Sequence, residues 1–277
     1  MRPSFYRTWL LWPAIALLLG FFLIPSLSII QASMFDPQFT TDNFARIVKR
    51  GVYISVFLRT LEVSLIVSLL AAVIGYPVAY FINLQPRQRQ FLLLFLIFVP
   101  LWMSILIRSY AWMAVLGRDG IINSALIGLG LIDQPAQLLF TSGAVYVAML
   151  QILLPIQIVT CYSAMTEIDL DLMRAARILG ARPMQAVTRV FLPLSLEGTI
   201  TGMIIVFMLS MGFFITPALV GGRKDQLLGN LIEFQVEHLH WNFASALGVL
   251  LLVGTIVAVV VIRSVGKLIV RRLSLTS

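Results

Sequence analysis

The sequence predicts an all-α integral membrane protein with six transmembrane helices. Three observations predict it. Hydrophobic residues make up 60% of the 277 and charged residues only 12%, about half the share of a soluble domain. Several apolar runs exceed the roughly 18 to 20 residues that cross a bilayer core. The basic residues gather at the ends of those runs, as membrane topology requires.

Taken in order, the apolar runs place spans at about Trp9–Ser33, Tyr53–Asn83, Phe91–Val115, Gly143–Ala164, Phe191–Val220 and Phe243–Ile262. The first follows Arg2 and Arg7. It is longer than a signal-peptide core and ends without a small-residue cleavage site, so it reads as an uncleaved insertion signal. An even number of spans puts both termini on one side. A cytoplasmic N-terminus then leaves Arg2, Arg7, Arg87, Arg89, Arg174, Arg177, Arg182, Arg189, Arg263, Lys267, Arg271 and Arg272 inside. Outside fall Arg46, Lys49, Arg50, Arg118, Arg223 and Lys224.

Pro77, Pro100, Pro155 and Pro217 lie within spans two to five, where each removes a backbone donor and favours a kink. Thr60, Ser64, Ser68 and Ala72 recur every four residues in span two, a stripe of small side chains that admits a close neighbour. Ile121–Leu131 is apolar but too short to span, and Leu227–Val236 is amphipathic; both read as interfacial helices on the outer side. With no internal repeat and no low-complexity tract, residues 1–277 read as a single membrane domain.

The net charge of +8 is spread along the chain rather than striped, which argues against a nucleic-acid partner. The one cysteine, Cys161, falls in an apolar run and reads as a packing residue. His238 and His240 alternate in an outer loop, too few ligands to specify a metal site. No Gly-x-x-x-x-Gly-Lys-Ser/Thr loop is present, and no grouping of serine, histidine and acid suggests hydrolysis, so neither nucleotide cofactor nor catalytic residue is expected in this chain.

The longest inner connection, Met165 to Arg189, carries the functional signal. Asp169 or Asp171 can cap a helix in which Leu172, Ala175, Ala176 and Leu179 share one face. Gly180 can end it in a left-handed conformation, and Pro183 suits the first turn of a second helix running into Phe191-Leu192-Pro193. The half-apolar knob so formed can fit a groove on a partner or lie on lipid headgroups; the residues alone leave both open.

Arg174-Ala175-Ala176-Arg177-Ile178-Leu179-Gly180, followed by Val190-Phe191-Leu192-Pro193, resembles the EAA loop of ABC-importer permeases. Ile107-Arg108-Ser109-Tyr110-Ala111-Trp112, Gly212-Phe213-Phe214-Ile215-Thr216-Pro217 to Gly221-Gly222, and Asp133-Gln134-Pro135 resemble the permeases of spermidine/putrescine-type importers. The resemblance covers roughly residues 44–267. It implies a type I importer fold in the bacterial inner membrane and a loop at 165–193 that couples to an ATPase through Arg174, Ala175, Ala176, Gly180, Ala181 and Pro193. It further implies an ATPase dimer that binds ATP and magnesium, a second, similar permease, and a periplasmic binding protein delivering ligand to outer loops around Gly117–Thr141 and Gly221–Trp241. Membrane lipid surrounds the bundle. The substrate implied is a polyamine, with another small organic cation, an amino-acid derivative or a metal chelate as alternatives. An ion-driven transporter would call for inverted repeats and paired intramembrane acids, which are not found. The chain departs from the family at Arg174, where the loop's usual glutamate is replaced by the opposite charge.

Glu62 in span two and Arg108 in span three both fall towards the outer half. Two readings stand. They line a translocation path with Tyr110 and Trp102, Glu62 attracting a cationic substrate; or Glu62 pairs with Arg59 or Arg108 and the charges are structural.

Overall fold

A computed structural model describes residues 12–36, 38–169 and 171–276; Arg2, Arg7 and the start of the first span at Trp9 lie outside them. The described chain is helical apart from a two-residue antiparallel pair, β1 (Phe35–Asp36) with β2 (Gln38–Phe39). Contacts divide it into two units. One holds the chain up to Ile54 with Leu231–Val253; the other holds Ser55–Asn230 and the chain from Gly254 onward.

The first unit contains α1 (Trp12–Met34), α2 (Asp42–Lys49) and the helical segments within residues 231–253 that pack beside α2. Ser33 is the only buried residue of α1, so its apolar surface suits lipid or protein rather than water. Arg46 of α2 lies over the Phe243 ring at 4.4 Å, and Tyr53 meets the same ring edge-on. His240 Nδ1 lies 3.1 Å from Gln235 Oε1, and His238 Nδ1 lies 2.8 Å from the Phe234 carbonyl.

The second unit is built on α3 (Gly51–Asn83), α7 (Ser142–Thr166) and α9 (Pro183–Met211). Small residues set how closely these helices approach. A Cβ added at Gly198 of α9 would collide with the Ala164 Cβ of α7, and one at Gly202 would meet the Gln157 amide at 3.0 Å. Gln157 is fully buried and donates to the Thr199 carbonyl and to Cys161 Sγ. Cys161 is thus a buried free thiol within the packing. Thr60, Ser64 and Ser68 are fully buried, whereas Ala72 is only half-buried; the seam continues through Ala71, Gly75 and Ala79.

Two expected spans differ. The third is not one helix. α4 (Arg87–Phe98) runs into a tight turn at Val99–Trp102, and after a bend of 93° beyond Trp102 the chain restarts as α5 (Ile105–Leu116) and continues to α6 (Ile121–Gly128). Pro100 has no N–H to continue the ladder, and Met103 and Ser104 take extended conformations that stop it. The fifth span ends early, at Met211. Gly212 closes it, and Pro217 lies in a separate short helix, α10 (Ile215–Val220). The expected outer helices are present as α6 and as α11 (Leu228–Glu237), while the last span runs far beyond Ile262 as α12 (Trp241–Thr276). Pro77 and Pro155 stay inside continuous helices.

Candidate functional site

The connection from Met165 to Pro193 folds as a bare knob. Ahead of α8 (Asp171–Ile178), Asp169 Oδ1 accepts the Asp171 N–H at 2.9 Å. Gly180 ends the helix with φ +93°, and the Gly180 and Ala181 amides bond back to the Arg177 and Ala176 carbonyls. Only glycine takes that conformation without strain. Pro183 opens α9 in its first turn, where a missing N–H costs nothing.

Between Val187 and Phe191 the helix widens by one residue. The Leu192 amide reaches back five residues to the Val187 carbonyl. Pro193, two positions into the apolar stretch, cannot donate, and the wider turn absorbs the lost bond. The knob therefore passes into a membrane helix without an intervening loop.

Its apolar side chains are uncovered. Ile178 and Leu179 are 85% and 88% exposed and Met184 is 73% exposed. Ala176, Gly180, Ala181 and Arg189 line a cleft of about 600 Å³ beside them. Arg174 turns to Asp171 on its own helix, at 2.8 Å, with both side chains largely exposed.

A second cluster sits where α3 meets the N-terminus of α7. Arg59 donates to Glu62 at 2.9 Å, to Asp225 at 3.0 Å and to Ser142 Oγ at 2.8 Å. Asp225, 6% exposed at its side chain, also accepts from Ser142 Oγ and from the Gly222 N–H. Burial by itself would push the Asp225 carboxyl up. The bonds from Ser142, Arg59 and Gly222, with the charge of Arg59, outweigh it and hold the group below the ordinary carboxylate value. Next to this cluster, the Leu228 N–H donates to Thr60 Oγ1.

The four expected path residues are not gathered. Glu62 pairs with Arg59 and remains 54% exposed. Arg108 lines a separate recess of about 290 Å³ with Pro100, Met103, Trp112 and Gln151. Its Nε and Nη1 are buried without a hydrogen-bond partner among the described residues. Trp102 stacks edge-on against Phe95 and is 73% exposed; Tyr110 also faces outward. Trp112 donates to Gln151 Oε1 at 3.3 Å.

Asp225 and Ser142 escape sequence reasoning, because 166 and 83 positions separate them from Arg59 and Asp225 respectively. Glu197 escapes it as well. It lies in α9 and lines a cleft of about 550 Å³ with Glu167, Asp169 and Thr201. An acid early in an apolar run was the available signal.

The family described as "Binding-protein-dependent transport system inner membrane component" matches residues 63–275. The spermidine/putrescine transport system permease protein PotB of Salmonella typhimurium (strain SL1344) is 38% identical over 240 residues, 83% of each chain. PotB of Haemophilus influenzae is 35% identical over 269 residues, 93% of each chain. Among solved structures, a chain of a bacterial alginate ABC transporter in complex with alginate pentasaccharide-bound periplasmic protein superposes with a TM-score of 0.75 at 19% identity, covering 96% of both chains.

Proposed function

This chain belongs to the family of binding-protein-dependent transport system inner membrane components, and from that premise we propose that it admits polyamines, spermidine or putrescine, as one permease subunit of an ATP-driven importer. Its place is the inner membrane, with both termini on the cytoplasmic side. Nucleotide and magnesium are bound by a separate ATPase dimer. A second, similar permease completes the path, and a periplasmic binding protein presents ligand to the outer loops.

The knob carries this reading. A partner-free membrane helix end would not leave Ile178, Leu179 and Met184 bare, and exposed apolar patches mark interaction sites. They sit on a rigid turn fixed by Gly180, as a side chain set for insertion into a groove would. In this arrangement Arg174, Ala175, Ala176, Gly180, Ala181 and Pro193 shape and position the docking element. Closure of the ATPases on ATP moves it, and the motion passes to α9.

The test is reconstitution. The chain is co-expressed with an ATPase, a second permease and a binding protein from the same organism, and placed in proteoliposomes. Spermidine or putrescine on the binding protein should stimulate ATP hydrolysis. Stimulation only by a different ligand class overturns the substrate. Failure of any ATPase to co-purify overturns the assembly.

A further inference from the structure

α12 is longer than a bilayer crossing requires. About 20 helical residues cover the roughly 30 Å hydrocarbon core. The uninterrupted apolar stretch ends at Ile262, yet the helix continues through Arg263 to Thr276. Arg263, Lys267 and Arg271 recur every fourth residue there and so share one arc of the helix, stepping about 6 Å along it each time. Arg263 and Lys267 are exposed. Val261, Val265, Leu268 and Ile269, each about half exposed or more, form an adjoining apolar arc. No aspartate or glutamate occurs anywhere in the helix.

The rotation of this extension is set by a third side. Gly266 packs against Ile200 of α9 so tightly that a Cβ there would lie 2.9 Å from Ile200 Cγ2. Neither the basic nor the apolar arc is used for that contact. The headgroup layer adds roughly 5 to 7 Å beyond each edge of the hydrocarbon core. Arg263 falls at its inner boundary and Lys267 one turn further, at phosphate depth, with long stems that can reach outward. The Arg263–Lys267 face, beside an apolar one, at this depth and with no acid in its own helix, matches an anionic headgroup above its acyl chain.

We propose that the basic arc of α12, led by Arg263 and Lys267, is a binding site for the phosphate of an anionic phospholipid. The guanidinium of Arg263 provides a forked donor for phosphate oxygens, Lys267 a second charge one turn away, and Val265 and Leu268 a surface for the acyl chain. The site depends on α12 crossing the bilayer and not on which solute the chain admits.

Native mass spectrometry on the full-length chain tests it, after exchange into micelles holding equal amounts of phosphatidylglycerol and phosphatidylcholine. The chain should retain phosphatidylglycerol preferentially. Each basic residue near an anionic surface contributes about fivefold in affinity, so R263Q/K267Q should weaken retention roughly 20- to 30-fold. R263K/K267R, which keeps both charges, should retain most of it. Equal retention of the two lipids, or retention unchanged in R263Q/K267Q, overturns the proposal. Displacement of the lipid by millimolar glycerol 3-phosphate would assign the arc to a soluble phosphate and overturn it as well.

Discussion

Arg59 binds two acids, and the two are not equivalent. Glu62 is half exposed, and an exposed ion pair of this kind contributes under about 1 kcal/mol. Asp225 is nearly buried and accepts from α3, from α7 and from its own loop, so leaving Arg59 without it costs about 2 to 4 kcal/mol. Asp225→Asn should therefore lower the thermal midpoint of the detergent-solubilised chain by several degrees. The pH dependence has a definite sign. A carboxyl held below its unfolded value of about 3.9 contributes stability that is fully present above that pH. The contribution is lost as pH falls through the lower folded value, so acid unfolding should flatten in Asp225→Asn. An unchanged acid limb would mean the pair does not form. Glu62→Gln tests the other acid: it should leave the midpoint within about a degree while raising the KM for spermidine uptake in proteoliposomes. Unaltered uptake would leave Glu62 as a surface partner of Arg59 alone.

At the scale of elements, the knob was largely legible and the outer bundle was not. The helix over Asp171–Ile178, its end at Gly180 and the start at Pro183 follow from capping chemistry, which is local in sequence. The 93° break after Trp102 was not foreseen, because a proline in an apolar run is read equally as a kink and as a stop. Only the extended Met103 and Ser104 decide it. The Arg59–Asp225 pair joins residues far apart in sequence, beyond any pattern of period two or 3.6. Gly180→Val places a β-branched side chain at φ +93° and should strain the turn by about 1 to 3 kcal/mol. The expected result is a folded chain whose ligand-stimulated ATPase rate drops at least tenfold. Arg174→Ala should be mild, because Arg174 is bonded to Asp171 in an exposed pair. ATPase co-purification reduced more than about twofold in Arg174→Ala would instead place its guanidinium at the interface.

For the whole molecule, the count of five to six spans rests on hydropathy, which survives errors of several residues at every end, whereas membership in the permease family rests on the sequence match over residues 63–275. Which face of each helix is buried depends on partners in three dimensions, and there the stripe of span two ran astray at Ala72. The basic loops predict a cytoplasmic side for both termini. Single cysteines at Gln88 and Lys224, in a chain whose own Cys161 is buried, should separate the two sides. In intact cells an impermeant maleimide should label Lys224→Cys and not Gln88→Cys; the reverse pattern would invert the topology.

The junction at Val187–Phe191 has a mechanical consequence. The rod from Pro183 to Met211 is about 43 Å long at 1.5 Å per residue, stiff along its axis, with a single compliant joint near the loaded end. Under the proposed docking, thrust applied at Met184 would pass to the far end as displacement, with the widened turn taking up the torque. Stiffening that joint would alter how much rotation each stroke delivers while leaving the grip at the knob intact.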